Sequence, residues 1–81
     1  MLYKVPLVLT PQPEGGFTVT SPLLPELVTE GDTADEALAN VGDALAAVIE
    51  TYEDLGRSLP ASIRQSPADG PIWLETMVAT P

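Results

Sequence analysis

Within the seven residues from Glu30 to Glu36 the chain places four carboxylates, at Glu30, Asp32, Asp35 and Glu36, in the stretch "LVTEGDTADEALANV". Carboxylates this dense can hold a divalent cation, serve as an acid/base pair, or start a helix. A calcium loop requires alternating ligands, a glycine at the sharp bend and a closing glutamate at the twelfth position, and this spacing does not keep that pattern. Two-metal nuclease chemistry needs carboxylates converging from separate elements, with the ions about 3.5–4 Å apart. The first apolar stretch offers Lys4 and no acid, so that geometry has no anchor. The remaining reading is structural. Thr33 stands three residues before Glu36, the spacing in which a hydroxyl caps an end-turn amide and a carboxylate reaches back to another. Asp35 and Glu36 then face the positive end of the helix dipole, worth about 0.3–1 kcal/mol each.

The elements that must position these groups follow from apolar periodicity. Tyr3, Val5, Leu7 and Leu9 alternate with polar or interrupted positions, the pattern of a half-buried strand, although Pro6 cannot donate to a ladder. "PQPEGG" is a turn leading into the alternating run "FTVT", so the two runs form a hairpin. "SPLLPEL" reads as an extended loop returning the chain to a short third strand over residues 27–30. Ala37, Leu38, Val41, Ala44, Leu45, Val48, Ile49, Tyr52 and Leu55 recur at helical steps. They predict one continuous helix over residues 34–55, ended by Gly56. Residues 56–71 read as a loop with a helical turn near Ser62, Ile63 and Arg64, and residues 72–78 as a final strand. On that strand Trp73 and Met77 share the face opposite Ile72 and Leu74. Both faces being apolar, Trp73 and Met77 are expected to meet a second copy of the chain, in a homodimer or homotetramer. The fold class is therefore α+β, with the order β-β-β-α-β and the long helix packed on a single sheet.

The far end of the helix is what capping leaves unexplained. Glu50, Glu53 and Asp54 face the negative end of the dipole with Arg57 as the nearby base. Asn40, Asp43, Ala47, Glu50 and Asp54 return to within roughly 40° of Glu36 at 100° per residue. The helix carries an apolar stripe and, opposite it, an acidic one. Such a stripe is either a solvated face or a docking surface for a cationic protein, with Glu36, Asp43, Glu50, Glu53 and Asp54 as the partner-binding residues.

Composition narrows the choices. The 81 residues make one small domain over residues 1–81, and no apolar run reaches the roughly 18 residues of a membrane span. No secretion signal is evident at the start, so a cytoplasmic location is expected. Cysteine and histidine are both absent, which removes thiolate and imidazole nucleophiles, bases and metal ligands, and no cofactor is expected. Twelve acids against three bases give a net charge of −9, so direct nucleic-acid binding is not expected.

The order of motifs resembles the HicB-like antitoxin family over residues 3–60: "EGGFTV", then "SPLLPELVTEGDTADEALANV", then "ALAAVIETYEDLG". The most specific part is Pro22, Leu24 and Pro25 followed by "TEGDT" and "EAL". The resemblance implies a truncated ribonuclease-H-like fold without that enzyme's metal-binding carboxylates, its last strand parallel to its first. It also implies neutralisation of a small, basic, HicA-like toxin that cleaves messenger RNA, by covering the toxin's RNA-binding surface. Members often have aspartate and glycine where Leu23 and Glu26 stand, which makes this loop more apolar. Longer members carry a C-terminal DNA-binding module, and none is expected here, with Ala79, Thr80 and Pro81 after Val78. Two other readings stand beside neutralisation: a stand-alone structural or regulatory oligomer, and a magnesium hydrolase using Asp32, Asp35 or Glu36, which lacks convergent acids.

Overall fold

The hairpin forms where the turn chemistry demands it. Strand β2 (Val8–Pro11) is joined to β3 (Phe17–Thr20) through "QPEGG". Gly15 N–H donates to Gln12 O at 3.0 Å and Gln12 N–H to Gly16 O at 3.0 Å, a three-residue loop with Pro13 at its first position. Gly15 closes it at φ 101°, a left-handed conformation that side chains resist. The computed structural model describes residues 2–65, 70–77 and 80.

Strand β4 (Val28–Gly31) completes a three-stranded antiparallel sheet in the order β2-β3-β4. The register sets Leu9, Val19 and Thr29 across from one another, and Pro11, Phe17 and Gly31 likewise. Period-two alternation therefore gives one sheet face Leu9, Phe17 and Val19, and the other Val8, Thr20 and Val28. Helix α1 (Ala34–Ala39) packs against β3 and β4. The approach is close: a Cβ added to Gly31 would stand 2.7 Å from Ala37 Cα and 2.8 Å from the Glu36 carbonyl carbon. Only glycine lets α1 sit at that distance.

Helix α2 (Val41–Asp54) follows after Asn40. The expected unbroken helix is thus divided into two segments, although Asn40 itself keeps right-handed helical torsions (φ −76°, ψ −13°). Asn40 N–H bonds to Glu36 O at 3.1 Å and Ala44 N–H to Asn40 O at 3.2 Å, so hydrogen bonds bridge the junction. At this junction the Asn40 side chain also reaches outside the helix: Asn40 Nδ2 donates to Glu30 O on β4 at 2.8 Å. The far end closes as the sequence predicts. Gly56 has φ 66°, and the amides of Gly56 and Arg57 donate to Glu53 O at 3.1 Å and Tyr52 O at 2.9 Å, the Schellman pattern.

The core gathers Leu24, Leu27, Val48, Tyr52 and Ile63, with Tyr3, Val5 and Leu7 packed against it. Two of its fully buried side chains, Leu24 and Leu27, come from the proline-rich loop, and each contributes roughly 1.5–3 kcal/mol by burial. Ile63 arrives from the expected helical turn, a single 3-10 turn over Ala61–Ile63. Pro6 lies outside any ladder: β1 (Leu2–Tyr3) ends before it and β2 begins after it, while the odd positions from Tyr3 to Leu9 remain the less exposed ones.

The α+β class, the antiparallel hairpin strands and the long helical rod are as the sequence predicts; the final strand is not. β1 pairs antiparallel with β5 (Arg64–Gln65) in a separate two-stranded sheet, supported by Lys4 N–H to Ile63 O at 2.7 Å. Residues 71–77 have no regular secondary structure, and Val78 lies outside the described residues. Alternation alone does not make a strand; it needs a neighbour to hydrogen-bond. Among the described residues no helix is long and apolar enough to cross a membrane.

Candidate partner-binding surface

The opening acidic cluster resolves chiefly into a helix start. Thr33 Oγ1 accepts from Glu36 N–H at 3.1 Å, capping α1, and Asp35 and Glu36 occupy its first turn. Glu30, Asp32 and Glu36 line a polar cleft of about 500 Å³ with Gln12, Gly15 and Asn40. Among the described residues no group of three or more acidic side chains is placed to hold a metal ion.

All five carboxylates of the proposed acidic stripe are solvent-exposed: Glu36 on α1, and Asp43, Glu50, Glu53 and Asp54 on α2. Asp43, Glu50 and Asp54 are seven and four residues apart, so they align along α2 within roughly 40° of one another. Glu53 sits about 80° to one side of that line. The inner stripe of the same helix is apolar, with Val48 and Tyr52 buried. The last turn of α2 contains no basic residue, so nothing on the helix offsets the acids at its negative end.

The one nearby cation is committed elsewhere. Arg57 Nη1 lies 3.5 Å from Glu26 Oε1, and its guanidinium stands 4.7 Å from the centre of the Tyr52 ring. Tyr52 Oη donates to the other carboxylate oxygen, Glu26 Oε2, at 2.8 Å. The Tyr52 hydrogen bond, with help from the Arg57 charge, lowers the Glu26 carboxyl below its ordinary value. The same hydrogen bond, together with burial, raises the Tyr52 phenol. Glu26 was noted in the sequence only as a departure from the family pattern; the sole hint of its partner was a tyrosine and an arginine flanking the end of an apolar helix stripe.

Beside α2 a second cleft, of about 290 Å³, runs between the helix and the start of β4, lined by Glu26, Val28, Ala44, Ala47, Val48 and Thr51. Its walls are mostly small or aliphatic. Trp73 and Met77 stand apart from it in sequence, exposed by 82% and 60% on an irregular segment rather than on the face of a strand.

No family model matches the chain. It is 39% identical over 77 residues to "Antitoxin HicB 1" of Photorhabdus laumondii, covering 93% of this chain and 50% of that one. It is 37% identical over 57 residues to "Antitoxin HicB" of Escherichia coli K12, covering 70% and 41% respectively. A "UPF0150 protein" of Thermoplasma acidophilum is 33% identical over 57 residues, covering 70% of this chain and 83% of that protein. The chain spans about half, or less, of the length of the two antitoxins it matches. With this sequence identity and a helix capped at the motif that carried the resemblance, the chain belongs to the HicB-like antitoxin family.

Proposed function

We propose that the chain acts as an antitoxin: it binds a small, basic, HicA-like toxin that cleaves messenger RNA and masks the surface through which the toxin grips its substrate. The observation that carries this reading is the row of exposed carboxylates on α2, whose last turn holds no basic residue, in a chain of net charge −9. Carboxylates set along a helix can occupy the positions of RNA phosphates on a cationic surface and exclude the nucleic acid by charge-assisted hydrogen bonds. Glu36, Asp43, Glu50, Glu53 and Asp54 are the contact residues in this proposal. It takes the protein as a cytoplasmic binding partner and not an enzyme, on a truncated ribonuclease-H-like fold, without direct contact to nucleic acid.

The test is a messenger-RNA cleavage assay with a small basic HicA-like protein, sought first in the reading frames that neighbour the one for this chain. An equimolar amount of the chain stops cleavage, and the variant carrying Glu50→Lys and Asp54→Lys protects poorly. Full cleavage in the presence of excess chain overturns the proposal. The exposed Trp73 and Met77 support a second reading, a stand-alone regulatory oligomer of the same fold, which predicts assembly without any toxin.

A further inference from the structure

The cleft between α2 and β4 lies against an open sheet edge. β4 is the last strand of its sheet, so among the described residues one of its sides has no strand neighbour. Which peptide groups face that side follows from alternation. Gln12 N–H to Gly16 O continues the β2-β3 ladder, so Thr10↔Thr18 and Val8↔Thr20 are the hydrogen-bonded pairs on that side of β3. β3 must then use Phe17 and Val19 toward β4, which leaves the peptide groups of Val28 and Glu30 pointing outward. The Asn40 bond to Glu30 O confirms that direction. Asn40 covers the Glu30 carbonyl, and Val28 lies open to solvent, the residue 59% exposed.

The helix wall of this cleft is made of residues that allow a close approach: Ala44, Ala47 and Thr51, with Val48 at the floor. Its rim is acidic. Ala47 is four residues after Asp43 and three before Glu50, so both carboxylates are its neighbours on the helix surface, and Glu26 lines the opposite side. A free strand edge, an aliphatic trough and an anionic rim have one complementary occupant.

We propose that this cleft receives an extended segment of a cationic protein partner, added to the Val28 edge of β4, whose aliphatic side chains enter the trough while alternate lysine or arginine side chains meet Asp43 and Glu50. Main-chain hydrogen bonds give such an addition its affinity, and alternate side chains give it selectivity. The inference rests on the cationic partner proposed above and specifies how part of it docks. An acidic strand is rejected by the rim, and a strand of lysines alone gains the rim but leaves the trough wet.

The experiment is an amide NMR titration of the intact chain with two blocked hexapeptides, one alternating lysine and valine, the other all lysine. The alternating peptide shifts the amides of Val28, Thr29 and Glu30 together with those of Ala44, Ala47 and Thr51. Hexalysine shifts those of Asp43, Glu50 and Asp54 and leaves β4 unmoved. Ala47→Leu, a substitution at an exposed helical position, fills the trough: it weakens the alternating peptide by roughly fivefold or more and leaves the hexalysine response in place. If both peptides move only the α2 carboxylate positions, the trough is not a docking site and the proposed function survives on charge alone. If neither peptide moves either set, the cleft proposal and the cationic-partner reading both fail.

Discussion

Tyr52 and Glu26, twenty-six positions apart, are joined by a 2.8 Å hydrogen bond that ties the last turn of α2 to the proline-rich loop. The carboxylate is held on its other oxygen by Arg57, so one acid anchors the loop, the helix and the residue after the helix's glycine stop. The bond makes a pH-dependent contribution to stability. Glu26 is lowered in the folded chain relative to its ordinary value of 4.5, so its contribution is complete above that value and is lost as pH falls through the lowered one. Tyr52 is raised, so its share is complete below the ordinary phenol value of 10.0 and is lost as pH climbs through the raised one. Glu26→Gln should flatten the acid limb of a urea-midpoint-versus-pH curve, and Tyr52→Phe should flatten both limbs. An unchanged acid limb in Glu26→Gln would show that the anchor does not depend on the charge.

Gly31→Ala should destabilise the chain by about 1–3 kcal/mol, since the new methyl meets backbone rather than a flexible side chain. Thermal unfolding measures it. A variant as stable as the parent would mean α1 rides farther from β4 than described here.

Asn40→Asp replaces the amide donor aimed at Glu30 O with an acceptor, turning attraction into repulsion at 2.8 Å. The expected loss is about 1–3 kcal/mol. Asn40→Ala keeps the helix but drops the bond, and should cost less because alanine recovers helix propensity. The order of the two urea midpoints is the check.

Glu50→Lys with Asp54→Lys should separate binding from folding. Lysines at the C-terminal end of α2 complement the helix dipole, so stability should hold or rise by roughly 0.3–1 kcal/mol. Affinity for a cationic partner should fall by at least about tenfold at low salt, and the parent's affinity should drop steeply as salt is added. Calorimetry on both chains reads the two effects; undiminished affinity places the contact elsewhere on the surface.

Trp73 is the chain's single tryptophan, which makes self-association easy to read. If Trp73 and Met77 meet a second copy, emission shifts to the blue as concentration rises, in step with a light-scattering mass above that of one chain. Trp73→Ser with Met77→Ser should abolish the mass increase. A monomer at tens of micromolar with unshifted emission removes the oligomer reading.

These residues also mark what the sequence could reveal. The hairpin, the Thr33 cap and the Gly56 stop were legible because each is a local rule: turn glycines, a hydroxyl three residues ahead of a glutamate, a left-handed stop. The Asn40 junction was not, because helical spacing runs straight through it and its side chain bonds to a strand ten residues earlier. The pairing of Leu2–Tyr3 with Arg64–Gln65 was equally hidden, since two residues carry no period. Residues 72–77 would present an apolar residue on each face of a strand, yet the pattern specifies only what each face would offer a neighbour. The candidate contact residues were legible as exposed acids on a helix; the strand edge beside them was not, because it appears only when β4 ends the sheet.

The proline-rich loop has the composition of a tether, but Leu24 and Leu27 are fully buried at the centre of the molecule. A scan of insertions along the chain should therefore find its least forgiving stretch where the sequence looks most like a spacer. Grafting α2 onto another scaffold would have to carry that stretch along as its keel.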